Sequence, residues 1–149
     1  MQKKKPLPPT YFNSSILLIV IVHYLFPIIR FIYFPWNLLG LLLLAAGGVL
    51  NLLADKDFKR YKTTVKPYEY SSALITNGVF RISRNPMYLG MALLLFGESI
   101  LFGSLSSFFV SIIYLFLMDF IFIRPEERML LEKFGEEYIT YKNKVRRWI

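Results

Sequence analysis

The stretch RISRNPMYLG, residues 81–90, turns from basic and polar to apolar within one short segment. Pro86 has no amide hydrogen, and its fixed φ suits the first turn of a helix. Asn85, just before it, is of the type that caps helix starts. The apolar run it opens continues to residue 102. The segment reads as a helix leaving a polar layer for an apolar one.

The same pattern recurs along the chain. Four apolar blocks, at 15–34, 36–54, 86–102 and 105–123, approach the ~20 residues that cross a bilayer core. Pro35 separates the first two, and Gly103 and Ser104 the last two, so each pair should form an antiparallel helical hairpin. With 149 residues, 55% of them apolar and 17% aromatic, the chain is too apolar for an ordinary soluble domain of this size. The expected fold is all-α: one integral membrane domain with four transmembrane helices.

Charge gives the orientation. Lys3, Lys4 and Lys5 precede the first block. Lys56, Lys59, Arg60, Lys62, Lys66, Arg81 and Arg84 lie between the second and third, and the remainder run from Arg124 to Arg147. Of the 18 lysines and arginines, a four-span arrangement leaves only Arg30 near the other face. The basic face should be cytoplasmic, with both termini on that side of a bacterial inner membrane. Membrane lipid accounts for the net charge of +8, so no nucleic-acid partner is expected. The basic opening is not read as a signal peptide, because its apolar run is long and lacks a small-residue cleavage site.

Two segments fall outside the spans. The loop 55–85 carries Tyr61, Tyr68, Tyr70 and Phe80, enough aromatic surface to be ordered against something, and its Thr76, Asn77 and Gly78 read as a turn. Segment 125–148 reads as one amphipathic helix. Leu130, Phe134, Tyr138, Tyr141, Val145 and Trp148 recur at helical steps, and Pro125, Glu126 and Glu127 suit a helix start.

The residues that could carry chemistry are few. There is no cysteine and a single histidine, so thiolate chemistry, disulfides and a histidine-rich metal site are out of reach. Phosphate loops, HExxH and nucleophile elbows are missing. His23 reads as a packed, hydrogen-bonded residue. What remains is a helix start flanked by Arg81 and Arg84, which attracts anions, and the carboxylates Glu126 and Glu127. As macrodipole complements these two would each contribute a few tenths to about 1 kcal/mol. With the helix start opposite, they frame a polar pocket suited to a zwitterion bearing hydroxyls. Glu98 and Asp119 are ionisable groups inside spans, hence functional candidates.

Taken in order, NGVFRISRNPMYLG, a hairpin, and PEERMLLEKFGEEYITYKNKVRRWI resemble the isoprenylcysteine carboxyl methyltransferase family and the related phospholipid methyltransferases. That family pattern is Arg-His-Pro-x-Tyr, a spacer, and a Glu-Glu pair. Here Asn85 replaces the histidine, a form similar to the bacterial branch, and it removes any acid–base role there. The resemblance covers residues 77–149 and implies S-adenosyl-L-methionine as cofactor. It places the cofactor among Gly78, Arg84, Asn85, Pro86, Tyr88, Leu89, Gly90, Glu126 and Glu127. The helix start would face the methionine carboxylate, and a glutamate the ammonium or ribose hydroxyls. Asp119 and Arg146 are the catalytic candidates: Asp119, or Glu98, would take the proton of an amine or thiol acceptor, and Arg146 or Arg147 would fold back toward a substrate anion. The acceptor would be a hydrophobic small molecule, a lipid or a prenylated species, presenting a carboxylate, amine or thiol.

Three other readings stay open from the residues alone. One is a membrane reductase using a nicotinamide cofactor, which would need a larger phosphate site. Another is a small four-helix transporter with Glu98 as its proton-coupled carboxylate. The third is a non-catalytic membrane protein that keeps the fold.

Overall fold

The structure, a computed structural model, describes residues 6–64, 69 and 71–149. Lys3, Lys4, Lys5, Lys66, Tyr68 and Tyr70 lie outside the described residues. Helices are the regular elements among the described residues, with no strand among them. In chain order the helices are α1 (Pro8–Leu25), α2 (Gly40–Arg60, entered through a 3₁₀ turn at Trp36–Leu39), α3 (Pro86–Phe102), α4 (Leu105–Met118), α5 (Arg124–Phe134) and α6 (Glu136–Lys144). Two continuous helices, Trp36–Arg60 and Leu105–Phe134, are long and apolar enough to cross a membrane, and Pro86–Phe102 is a shorter apolar helix.

The helix bounds differ from the apolar blocks where backbone chemistry intervenes. The first helix occupies Pro8–Leu25 rather than 15–34. Pro27 forces Phe26 out of the helical region (φ −143°, ψ 64°), because proline crowds the residue before it. The second runs to Arg60, so the loop is shorter than 55–85. The tail is two helices rather than one. Gly135 adopts φ 50°, ψ −122°, a conformation only glycine takes without strain. The apolar face persists across that break: Leu130, Phe134, Tyr138, Tyr141 and Val145 all join one cluster with Ala54, Ile75, Val79 and Phe80.

A larger correction concerns residues 118–125. Helices α4 and α5 form one unbroken rod, joined by a π-helical turn at Asp119–Ile123. Pro125 is thus inside a helix, where its ring would meet the carbonyl of residue 121. The widened turn lies over that carbonyl and relieves the conflict. Because the helix is continuous, Glu126 and Glu127 do not sit at a helix N-terminus, and the macrodipole reading of them falls.

Glycines set the closest helix contact. A Cβ on Gly47 would lie 2.6 Å from the Gly90 carbonyl oxygen, and one on Gly97 would lie 2.8 Å from that of Gly40. The heptad spacing of these contacts keeps α2 and α3 antiparallel and in contact over two turns. On the other side of α3, Tyr88 and Leu95 pack with Ile19 of α1 and Val110, Tyr114 and Met118 of α4. At the far end from most basic residues, Gly103 (φ 69°) caps α3 through its N–H to Ser99 O at 2.8 Å. There Arg30 donates to His23 Nε2 at 3.1 Å, which fixes Nδ1–H as the donor to Ser104 Oγ at 3.0 Å. The opposite, basic end carries Arg84, Arg124 and Arg147.

Substituting Gly97→Val should destabilise the protein by about 1–3 kcal/mol through overpacking. Gly48→Ala should change stability by less than about 0.5 kcal/mol, since a Cβ there meets nothing within 4 Å. Thermal unfolding in one detergent compares the two; equal losses would contradict the packing argument.

Candidate functional site

The site lies at the basic end, where α3 begins beside the rod 105–134. Glu127 is its structural centre. Arg84 Nη2 and Nε donate to Glu127 Oε1 at 2.8 and 3.1 Å, and Arg147 Nη2 and Nε donate to Oε2 at 2.7 and 3.2 Å. Two guanidiniums thus grip one carboxylate, a charge-assisted geometry of high directional specificity. Burial pushes the Glu127 carboxyl up, but hydrogen bonds and charge from Arg147 and Arg84 outweigh it and hold it below the ordinary carboxylate value. In turn, the hydrogen bond to Glu127 leads the upward push on the Arg147 guanidinium.

The tail segment closes over this pair. Arg84 also donates through Nη1 to the carbonyls of Val145 (2.7 Å) and Lys142 (3.1 Å), and through its backbone N–H to Arg146 O (3.0 Å). Ser83 Oγ and Asn85 Nδ2 both donate to Arg147 O, at 3.0 and 3.2 Å. Asn85 therefore does not cap: its side chain makes no hydrogen bond to the first turn of α3. Its amide is turned toward the tail, and its backbone N–H is taken by Ser83 Oγ at 3.0 Å.

On the other face of α5, Glu126 accepts a 2.6 Å hydrogen bond from the Tyr88 hydroxyl. Burial pushes its carboxyl up to about 7; the Tyr88 bond opposes this, and the neighbouring Glu127 charge adds to it. Glu126 and Tyr88 line a cavity of about 290 Å³ together with Arg84, Asn85, Pro86 and Met87. Its apolar wall comes from Met91, Met129, Leu130, Leu74 and Ile75, and Lys133 stands on its lining. The volume is at the lower end of small-molecule sites.

The structure brings Arg84, Asn85, Pro86, Tyr88 and Glu126 to one cavity, and sorts the other predicted residues elsewhere. Gly78 (φ 60°) backs onto the Asp57 carboxylate, which a Cβ would strike. Gly90 serves helix packing, since a Cβ there would meet the Asn51 side chain at 2.7 Å. Leu89 is buried outside the cavity lining, and Glu127 belongs to the ion pairs. Asp119 lines a second groove and accepts from Arg147 Nη1 (3.0 Å) and Arg124 Nε (2.7 Å). The arginine folded back is Arg147; the Arg146 side chain is exposed. Glu98, half-buried in α3, has no hydrogen bond or ion pair among the described residues. Ser83 and Arg124 also belong to this end of the molecule, and no sequence pattern marks a serine that serves two backbone groups.

The π turn explains the choice between the glutamates. In a regular helix, residues seven apart share a face, which would pair Asp119 with Glu126. The extra residue in the π turn moves that register by one. Glu127 then shares Arg147 with Asp119, and Glu126 is freed to face the cavity.

An all-helical chain with membrane-length apolar helices and a polar-ended cavity at their basic end defines a class of membrane-embedded proteins with a small-molecule site. Residues 36–137 match the family model described as phospholipid methyltransferase, and the chain belongs to that family. It is 35% identical over 115 residues to the protein-S-isoprenylcysteine O-methyltransferase of Saccharomyces cerevisiae, covering 73% of this chain and 46% of that protein. An uncharacterized protein of Haemophilus influenzae is 38% identical over 63 residues, 42% of this chain and 100% of its own length. The structure of a eukaryotic intramembrane Ras methyltransferase, an isoprenylcysteine carboxyl methyltransferase, superposes with a TM-score of 0.62 at 28% identity, covering 95% of this chain and 51% of that one. The chain thus spans about half the length of the yeast relative and of the solved neighbour. It is an all-α integral membrane protein of this family.

Glu127→Gln should lower stability by about 3–5 kcal/mol, the usual cost of breaking a buried pair. Because the folded-state pKa is depressed, the stabilisation is complete above about 4.5 and lost as pH falls through the folded value. Unfolding midpoints measured from pH 7 downward should therefore converge for wild type and variant at low pH. A constant gap would contradict the assignment.

Proposed function

We propose that the chain is an S-adenosyl-L-methionine-dependent methyltransferase acting on a hydrophobic or membrane-embedded acceptor at the cytoplasmic membrane face. The observation carrying this reading is the cavity where the start of α3 meets Glu126. The donor set fits the cofactor: Glu126 suits its ammonium, the uncapped start of α3 its carboxylate, and the methionine-rich wall its sulfonium. Bound there, S-adenosyl-L-methionine would supply a methyl group already activated on a positively charged sulfur.

The chain's own residues then have to hold, orient and exclude water. Tyr88 fixes the Glu126 carboxylate by its 2.6 Å hydrogen bond. Arg84, held by Glu127 and the tail carbonyls, forms a rigid wall. A carboxylate acceptor needs alignment and partial desolvation, which positioned walls provide. Both relatives named as methyltransferases support this reading, as do the membrane-length helices. Four helices, α1 to α4, are proposed to cross the bilayer with the basic end in the cytoplasm, which the distribution of lysine and arginine supports. A prenylated carboxylate is the acceptor class that the names of the relatives favour; a lipid, amine or thiol acceptor would use the same cavity.

Calorimetry on the detergent-purified protein should show micromolar binding of S-adenosylhomocysteine. Glu126→Gln and Tyr88→Phe should each weaken it about tenfold, or ~1.4 kcal/mol, whereas Glu98→Gln should leave it unchanged. Tight NADPH binding without S-adenosylhomocysteine binding would reject the proposal.

The pH profile follows from Glu126, whose carboxyl is pushed up to about 7. It carries its charge above that value, so ammonium binding should weaken as pH falls from 8 to 6. The variant Glu126→Gln should show a flat profile over the same range.

A further inference from the structure

Five charged side chains at the basic end form one connected chain. Arg84 contacts Glu127 at 2.8 Å, Glu127 contacts Arg147 at 2.7 Å, Arg147 contacts Asp119 at 3.0 Å, and Asp119 contacts Arg124 at 2.7 Å. Cations and carboxylates alternate, with three of the former and two of the latter, so one positive charge is left over. Position decides where it resides. The Arg84 side chain is 8% exposed and Arg147 33%, but Arg124 is 50% exposed. Arg124 gives only its Nε to Asp119, and its two terminal amino groups make no hydrogen bond among the described residues. Its guanidinium carbon stands over the Phe120 ring, 3.9 Å from the centroid, a cation–π contact.

That uncommitted fork borders the second groove, which Leu115, Phe116, Phe120 and Trp148 line with Asp119, Arg84 and Arg147. Phe116 and Phe120 are 61% and 56% exposed. They lie on the apolar helix just before Arg124, the first basic residue after it. The groove therefore has an apolar wall running down the membrane helix, a cationic head at its end and an indole beside it. Tryptophan favours that depth, and a guanidinium fork matches the oxygens of a phosphate.

We propose that this groove holds one anionic glycerophospholipid, its phosphodiester on Arg124 and its acyl chains over Phe116 and Phe120. Arg84 is the one residue that lines both this groove and the Glu126 cavity, and the proposal does not depend on the methyltransferase reading. The lipid would neutralise the surplus charge and cover apolar surface that faces the hydrocarbon.

The test is thermal unfolding of the full chain in detergent micelles with added phosphatidylglycerol or phosphatidylcholine of identical acyl chains. Phosphatidylglycerol at ~100 times its Kd should raise Tm by about 5–10 °C, and phosphatidylcholine should have little effect. Arg124→Gln should abolish most of the difference between the lipids, while Arg128→Gln, an exposed arginine outside the groove, should keep it. Native mass spectrometry of the wild type in an equimolar lipid mixture should retain one phosphatidylglycerol preferentially, a reading that needs no variant to fold. Equal effects of the two lipids, retention of the difference in Arg124→Gln, or an equal shift from soluble glycerol phosphate would each overturn the proposal. So would preferential retention by a carboxylate-bearing prenyl compound over phosphatidylglycerol in the same mixture.

Discussion

The grip of two arginines on Glu127 is the constraint on which the basic end depends. Arg84 comes from the approach to α3, Arg147 from the tail segment, and Glu127 from the rod 105–134. No other described group joins those three parts by charge. Such a buried cluster need not exceed a well-packed apolar core in stability. What it contributes here is position. With Glu127 held, its neighbour Glu126 projects about 100° further round α5, where Tyr88 meets it.

The π turn makes that arrangement possible and follows from Pro125. A proline inside a helix loses a hydrogen bond and crowds the carbonyl four residues earlier. Here the crowding is relieved by one extra residue in the turn, which also resets the register of everything after it. Asp119 therefore shares an arginine with Glu127 rather than lining the cavity with Glu126. Two neighbouring glutamates are given different roles: one closes the ion pairs, the other is a half-buried acid at the cavity. Their environments move their ionisation in opposite directions, a common arrangement at functional sites.

Much of the fold is legible in the sequence because apolar length and proline position are local signals. The third helix begins at Pro86, and the apolar face of the tail, from Leu130 to Val145, survives its break at Gly135. Some departures are local, at Pro27, Pro125 and Gly135; the others are choices made by tertiary contacts. Asn85 has the chemistry of a cap, yet Arg147 O sits where its amide is drawn away. Gly78 and Gly90 look like room for a ligand, but they make room for Asp57 and Asn51. Arg146 and Arg147 are indistinguishable by position in the sequence; only the path of the tail turns one inward. The family match supports the cofactor reading where the residues alone left several open.

The proposed cofactor site joins the start of α3 to Glu126. Ultraviolet crosslinking of methyl-labelled S-adenosyl-L-methionine to the purified protein, followed by peptide mapping, tests it most directly. Label should appear in peptides containing residues 85–91 and 126–130, and excess S-adenosylhomocysteine should suppress it. Label confined to other segments, or label that excess S-adenosylhomocysteine leaves untouched, would rule out that site.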